Sequence, residues 1–277
     1  MRDSVFQTLT PMDRFKGYCS FLYRALQANF TYRSSAFLAL LTSIISYCFT
    51  ILIWRYVYAH PSPRLTISRT AMFVYLPLAF CLNFALTTNI DIRIGQRIRL
   101  GLIATDLLKP LDFQFLQMMQ ALSDAFFNFF LSLGVFIVAV LLLKGNLFPA
   151  SVEDFLAFLV SVFLAFIIQF SVLFLFIQGI FYTNSSYGIS ASRLSLHLTF
   201  SGISAPLTLY PLILRHIGEW LPFQNIIYVP ISIYMGKYHG LALIAALVHQ
   251  MLWALGMYLL GYWVFKWTLR SIEIQGG

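Results

Sequence analysis

The chain has 277 residues, of which 60% are hydrophobic and 10% charged, and its formal net charge is +8. Soluble domains carry about 25% charged residues, so this composition argues against a soluble fold and predicts an integral membrane protein. The basic residues stand between apolar runs, where membrane-surface loops and lipid headgroups would hold them. That pattern argues against a nucleic-acid partner.

The N-terminal segment, residues 1–34, predicts a helix that lies on the inner face of the membrane. Apolar side chains recur in it at helical spacing, at Phe15, Tyr18, Leu22 and Leu26. Basic residues stand between them, which is typical of an interfacial amphipathic helix that contacts membrane lipids.

Six segments are predicted to cross the bilayer, which needs about 20 apolar residues. They lie at 35–58, 68–90, 122–143, 153–182, 185–205 and 240–268. The fifth is weakly apolar and rich in serine. It can span only if protein shields its polar face or if that face lines a cavity.

An even number of spans puts both termini on the same side of the membrane. If the N-terminus is inside, the inner segments hold twelve of the eighteen lysines and arginines. The positive-inside rule therefore predicts a multi-pass protein of the plasma (inner) membrane with both termini in the cytoplasm.

The predicted cytoplasmic loop between the second and third spans, residues 91–118, is amphipathic. An apolar stripe at i, i+3, i+7 and i+8 is formed by Leu100, Ile103, Leu107 and Leu108. Pro110 cannot continue that helix. A short helix of this kind either lies against lipid or docks into a groove on a cytosolic partner. The stripe leaves both interpretations open.

The segment 206–237 carries four prolines, and each of them interrupts or restarts a helix. They are Pro206, Pro211, Pro222 and Pro230. The pieces between them are too short to span a bilayer and too apolar for a solvated loop. We predict a pair of short re-entrant helices that dip into the membrane from the outer side, where protein covers their backbone.

Polar residues inside the predicted spans are candidates for a translocation path. On the fifth span they are Arg193, Ser195, His197 and Thr199, and on the last span they are His249 and Gln250. Such residues either line a path or make interhelical hydrogen bonds. Asp124, near the inner end of the third span, either anchors a cation or pairs with an arginine of the inner loop, and we expect the pair. The five histidines show no metal-binding spacing, so no metal site is predicted.

Two stretches resemble a known family: "GLIATDLLKPLDFQ" (101–114) and "PLTLYPLILRHIGEWLPFQNIIYVPISIYMGK" (206–237). Together with the layout of the spans, they resemble the permease subunits of ATP-binding-cassette (ABC) exporters of the ABC-2 type. The resemblance implies an all-α integral membrane fold in one domain, 1–277. That fold has an N-terminal interfacial helix, six transmembrane helices, a cytoplasmic coupling helix and a re-entrant helix pair before the last span.

The resemblance also implies roles for particular residues. The first cytoplasmic loop would be the coupling helix, seated on an ATPase, so residues 100–110 would receive the push of ATP binding. The charges expected to pair with the ATPase are Arg97, Arg99, Asp106 and Lys109. The re-entrant helices would carry Pro206, Tyr210, Pro211, Pro222, Phe223 and Pro230.

Other chains are expected to supply the ATPase and the second permease of the transporter. The sequence has no GxxxxGK[ST] motif, so ATP and Mg would bind a separate cytosolic ATPase, present as a dimer, and no cofactor is expected in this chain. Six spans are half of such a transporter, so the permease is expected to pair with an identical or related permease. The cargo would be amphipathic or hydrophobic: a lipid, a glycolipid, a drug-like molecule or a peptide.

Two other classes of function remain open from the residues. The first is a membrane-embedded lipid-modifying enzyme that uses His249, His197 and Asp124 as acid and base, although these are scattered over three spans. The second is a secondary transporter, which would want carboxylates for ion coupling at mid-membrane, where these spans have none. With a transporter subunit as the leading hypothesis, no catalytic residue is predicted.

Overall fold

The computed structural model describes residues 10–31, 33–60, 67–143, 149, 151–183 and 186–271, and the regular elements in this part of the chain are all helical. In chain order the helices are α1 (Pro11–Thr31), α2 (Arg33–Ala59), α3 (Arg69–Leu86), α4 (Ile90–Arg99), α5 (Ile103–Leu107), α6 (Phe113–Leu143), α7 (Val152–Thr183), α8 (Ser186–Phe200), α9 (Leu212–Glu219), α10 (Tyr228–Tyr234) and α11 (Leu241–Ser271). Short 3-10 turns cover Leu207–Leu209 and Pro222–Asn225.

Five helical runs among the described residues are long and apolar enough to cross a membrane. They are Ala36–Ala59, Arg69–Arg99, Phe113–Leu141, Val152–Thr183 and Leu241–Arg270. The prediction of an all-helical, multi-pass membrane protein is confirmed, but the count of six spans is not. The predicted fifth span contains α8, which has 15 residues. Such a helix is about 22 Å long, shorter than the bilayer core of about 30 Å.

The connection between the second and third long helical runs is shorter in the structure than the predicted loop, 91–118. Helix α3 ends at Leu86 and α4 begins four residues later, with Ile90 and Ile94 buried in the bundle. At the other end, α6 begins at Phe113, nine residues before the predicted third span. Phe113 stacks on Phe265 of α11 at 5.1 Å between ring centroids. Burial draws both ends of the loop into the bundle and leaves about a dozen residues between α4 and α6.

Helices α7 and α11 run parallel and are tied by polar side chains along their length. Ser161 donates to the Gln250 side chain at 2.7 Å. Further along, the Gln178 amide donates to the carbonyl of Gly261 at 3.0 Å. Interhelical hydrogen bonds of this kind hold helices together in lipid, where the hydrophobic effect does not.

Helix α8 runs antiparallel to α4 and then α3. Gly95 of α4 lies so close that a Cβ on it would come within 2.4 Å of the Ser186 Cβ. Beyond the end of α8, the Tyr75 hydroxyl donates to the carbonyl of Gly202 at 2.7 Å, and the Trp54 indole donates to the carbonyl of Ser204 at 3.0 Å. Residues 186–204 therefore extend further along the bundle than the helix alone.

The segments predicted to lie inside come together at one end of the bundle. Tyr18 of α1 makes an edge contact with Phe115 at 4.6 Å between ring centroids. Gln114 of α6 donates to the carbonyl of Tyr258 at 3.0 Å. At the opposite end, Phe158 of α7 meets Tyr234 of the predicted outer segment at 5.1 Å. The bundle thus has one end built from α1, the α4–α6 connection and the end of α11, and another built from residues 206–240.

Candidate functional site

The connection between α4 and α6 is folded into two pieces rather than one helix. Helix α4 ends at Arg99, and Gly101 turns the chain with a positive φ of +70°, a conformation that favours glycine. The five-residue helix α5 follows, and its end is closed by a hydrogen bond from the Leu108 amide to the Ala104 carbonyl at 3.1 Å. The expected continuous stripe over residues 100–108 is therefore broken at Gly101.

Asp106 is the centre of this connection. Its side chain is about nine-tenths buried, with Arg97 Nε donating to one carboxylate oxygen and Lys109 Nζ donating to the other at 2.8 Å. Three of the four charges that were expected to pair with an ATPase thus pair with each other. Arg99 is exposed.

The apolar residues of the predicted stripe point in different directions. Ile103 is buried and Leu107 packs against the core. Leu100 and Leu108 are 71% and 75% exposed. Leu102 is also exposed. The sequence analysis missed this residue because it does not belong to the predicted stripe. We call the exposed set Arg99, Leu100, Leu102 and Leu108 the connection face.

Helix α1 supports the connection from the side. The Tyr18 hydroxyl accepts a hydrogen bond from the Asp112 amide at 3.0 Å. The Phe21 ring lies under Lys109, with Nζ 5.9 Å from its centroid, a cation–π distance. Pro110 is half-buried just after α5. The N-terminal helix and the connection therefore form one packed unit.

Asp124 pairs with an arginine of the predicted inner loop, as expected from the sequence. Arg93 Nη2 donates to its carboxylate at 2.6 Å, and the Thr88 hydroxyl donates to the same oxygen at 2.6 Å. The Asn29 amide of α1 donates to the other oxygen at 3.1 Å. A cleft of about 420 Å³ lies beside this carboxylate, between α1, α2, α3 and α6.

The candidate path residues of α8 lie on two opposite faces. Arg193 donates to Asp91 at 3.1 Å and His197 lies 2.8 Å from the Asn83 amide oxygen, so both face α3 and α4 inside the protein. Ser195 and Thr199 are exposed on the other face. Their hydroxyls donate to carbonyls four residues earlier, at 2.9 and 2.8 Å, which satisfies them without a partner helix.

The polar pair on the last span is tied to the outer segment. The buried Gln250 amide accepts from Ser161 and donates to the Asn225 carbonyl at 2.8 Å. His249 is exposed, lies 3.3 Å from the Asn225 side chain and accepts from the Trp253 indole at 3.2 Å. His249, His197 and Asp124 each have different partners, so the structure does not assemble them into one acid–base centre.

Replacing Gln250 with leucine is expected to lower the free energy of unfolding by about 1–3 kcal/mol, because the Ser161 hydroxyl and the Asn225 carbonyl would lose their buried partner. His249→Leu, at the exposed neighbour, is the matched control and is expected to cost less. Thermal unfolding of both purified variants in detergent measures the difference. Equal losses would contradict a structural role for Gln250.

The predicted outer segment, 206–237, consists of short helices with different surroundings. Residues 222–227 and α10 are almost wholly buried, including Phe223 and Pro230, and Pro206 is buried as well. Helix α9 is exposed, as are Pro211 before it and Trp220 after it, while Tyr210 is half-buried. At the end of α9, a hydrogen bond from Arg215 holds the pKa of Glu219 below its usual value.

These features define a multi-pass integral membrane protein in which buried polar side chains of the described residues tie helices together. The model of the family described as "ABC-2 family transporter protein" matches residues 44–276. The chain belongs to the ABC-2 transporter family and is therefore a membrane permease component of an ABC transporter, a class that associates with an ABC ATPase. No curated protein sequence matches the chain.

Proposed function

We propose that this chain is the permease subunit of an ATP-driven exporter, with α5 and the residues around it acting as the coupling element. A separate cytosolic ATPase would close on binding ATP and Mg, push on this element, and open a path between two permease subunits. The observation that carries the proposal is the connection face. It exposes three leucines at the end of the bundle where the predicted cytoplasmic segments meet.

The ion pairs of Asp106 support a coupling role because they stiffen the element. A flexible loop would deform under a force from the ATPase, whereas a rigid connection transmits the force to the helices that it joins. Arg97 links α5 to α4, and Lys109 contacts both Asp106 and Phe21 of α1. Force applied at Leu108 would thus reach α4 and α1 together.

The proposed orientation places α1 and the α4–α6 connection in the cytoplasm and the outer segment on the far side. We propose that residues 186–204, within the predicted fifth span, cross the membrane in addition to the five long helical runs. Helix α8 is the helical part of this crossing. Supporting this, the Ser186 end lies beside α4 and the Ser204 end lies beside Trp54, near the outer end of α2. The Asp91 pair keeps the charge of Arg193 away from lipid, as a charge in a span requires.

The exposed face of α8 is the proposed contact with a second permease subunit. It carries small residues at helical spacing: Gly188, Ser192, Ser195 and Thr199. Small residues let two helices approach closely in a membrane. The cargo path would lie along this contact, so Ser195 and Thr199 remain path candidates. The cargo would be amphipathic or hydrophobic, such as a lipid, a glycolipid, a drug-like molecule or a peptide.

Purification of the chain from its own host in mild detergent tests the proposal. Two copies with different tags are expressed together, one is captured, and the proteins that accompany it are identified by mass spectrometry. A soluble protein with a Walker A lysine is expected in near-stoichiometric amount, and the second tag or a related permease is expected with it. Recovery of the chain alone, under conditions that preserve other membrane complexes, would overturn the proposal.

A further inference from the structure

A second cavity, of about 270 Å³, lies between α1, α4, α5 and α6, next to the coupling element. We call it the basic chamber. Its charged lining residues are Arg93, Arg97, Lys109 and Asp106. Gln117, Gln120 and Phe21 also line it. The lining therefore has three positive charges against one negative charge.

The three cations keep hydrogen-bonding capacity in spite of their ion pairs. Their side chains are 40–45% exposed, and within the described residues each has one carboxylate contact. An arginine has five N–H donors and a lysine has three, so most of their donors are unused. Arg93 satisfies Asp124, which lines the neighbouring cleft rather than the chamber. The chamber is thus a partly open pocket lined by hydrogen-bond donors, with excess positive charge.

We infer that the basic chamber binds the phosphate ester of an anionic ligand, with an inner-leaflet phospholipid as the source that its position favours. Arginine and lysine around a phosphate form charge-assisted hydrogen bonds, and basic pockets between membrane helices on the cytoplasmic side hold lipid headgroups. The volume is below the usual range of pockets for drug-sized ligands, about 300–1,000 Å³. It suits a headgroup better than a nucleotide or a whole lipid.

The position of the chamber supports a lipid as the source. Helix α1 covers it, and α1 exposes large apolar side chains, among them Met12, Phe15 and Phe30. A helix with such a face lies in the interface between headgroups and acyl chains. A phospholipid beside α1 could place its headgroup in the chamber and its acyl chains along the bundle. This placement rests on the proposed orientation, with α1 on the inner leaflet.

Titration of the delipidated full chain in detergent tests the inference, with binding followed by native mass spectrometry. The probes are dihexanoyl phosphatidylglycerol, dihexanoyl phosphatidylcholine and inorganic phosphate. Phosphatidylglycerol is expected to bind most tightly, because choline would add a positive charge beside three others. Lys109→Gln is expected to weaken its binding about five-fold, since one cation near a phosphate contributes about that factor.

A second variant adds a charge to the chamber without removing any ion pair. Gln117→Glu is expected to weaken phosphatidylglycerol binding at least as much as Lys109→Gln, whereas Gln117→Met, of similar length and uncharged, is expected to change it little. Lys266→Gln removes an exposed cation outside the chamber and is the control for Lys109→Gln.

Each outcome decides between the sources or against the site. Binding of phosphatidylglycerol without binding of phosphate at the same concentration identifies a lipid site, and equal binding of both identifies a site for soluble phosphate esters. Equal binding of the two lipids, or no effect of Gln117→Glu, would overturn the inference. The assay needs no ATPase, so a failure here would leave the permease proposal standing, and the purification experiment can fail without affecting this one.

Discussion

Leu108→Asp is expected to abolish most of the coupling between the ATPase and the permease while the chain stays folded and in the membrane. Leu108 is the most exposed leucine of the connection face, so a carboxylate there meets no buried surface of its own chain. In a complex it would be buried against the ATPase, and a central interface residue of this kind is worth about 2 kcal/mol or more. We expect about a thirty-fold loss in ATPase affinity, measured by co-purification and by stimulated ATP hydrolysis.

Two other leucines make this prediction specific. Leu107→Asp puts the same charge one residue away on a side chain that packs against the core, so it is expected to lower the thermal stability of the chain itself. Leu241→Asp changes an exposed leucine at the opposite end of the bundle and is expected to leave ATPase binding intact. Normal stimulation of the ATPase by the Leu108→Asp variant would refute the coupling assignment.

Removing the carboxylate of Asp91 is expected to destabilise the chain by about 3–5 kcal/mol, because it leaves a buried arginine without its counter-charge. The Asp91 and Arg193 side chains are 3% and 12% exposed, and they join α4 to α8. Asp91→Ala should therefore loosen α8, the helix of the additional crossing that we propose. Denaturant or thermal unfolding in detergent measures the loss, and protease accessibility of α8 reports where it occurs.

A double variant separates the ion pair from the rest of the site. Asp91→Ala combined with Arg193→Met removes both charges, and replacing a buried pair by apolar groups is often close to neutral. The double variant is expected to be more stable than Asp91→Ala alone, which gives a coupling energy between the two positions. Glu219→Ala breaks an exposed pair with Arg215 and is the control, with little expected change. A double variant as unstable as the sum of the single variants would contradict the pairing.

The long helices were predictable because their length depends on local composition. Helices α2, α7 and α11 begin and end within three residues of the predicted spans. The N-terminal helix was also predicted, although residues 1–9 of the predicted segment lie outside the described part of the chain. Boundaries failed where burial extended a helix beyond its apolar run. Phe113 begins α6 because it packs on Phe265, a contact from the other end of the chain.

The proposed coupling element shows why site residues were harder to predict than spans. The stripe of four leucine and isoleucine residues was visible in the sequence, but it assumed one straight helix. The positive φ of Gly101 changes the direction of the chain, so Leu100 and Leu108 are exposed while Ile103 is buried. The i,i+3 spacing of Asp106 and Lys109 is compatible with an ion pair in the sequence, but no pattern indicated that Arg97, nine residues earlier, would also reach Asp106.

The sequence by itself determined that this protein lies in a membrane, that it is helical and that prolines interrupt residues 206–237, because each follows from composition over a short window. Only the tertiary structure decided which way each polar side chain faces. Arg193 and His197 turn inward, to Asp91 and Asn83, while Ser195 and Thr199 on the same helix turn outward. A buried charge is stable only beside its counter-charge, and that neighbour is brought by a helix about a hundred residues away in the chain.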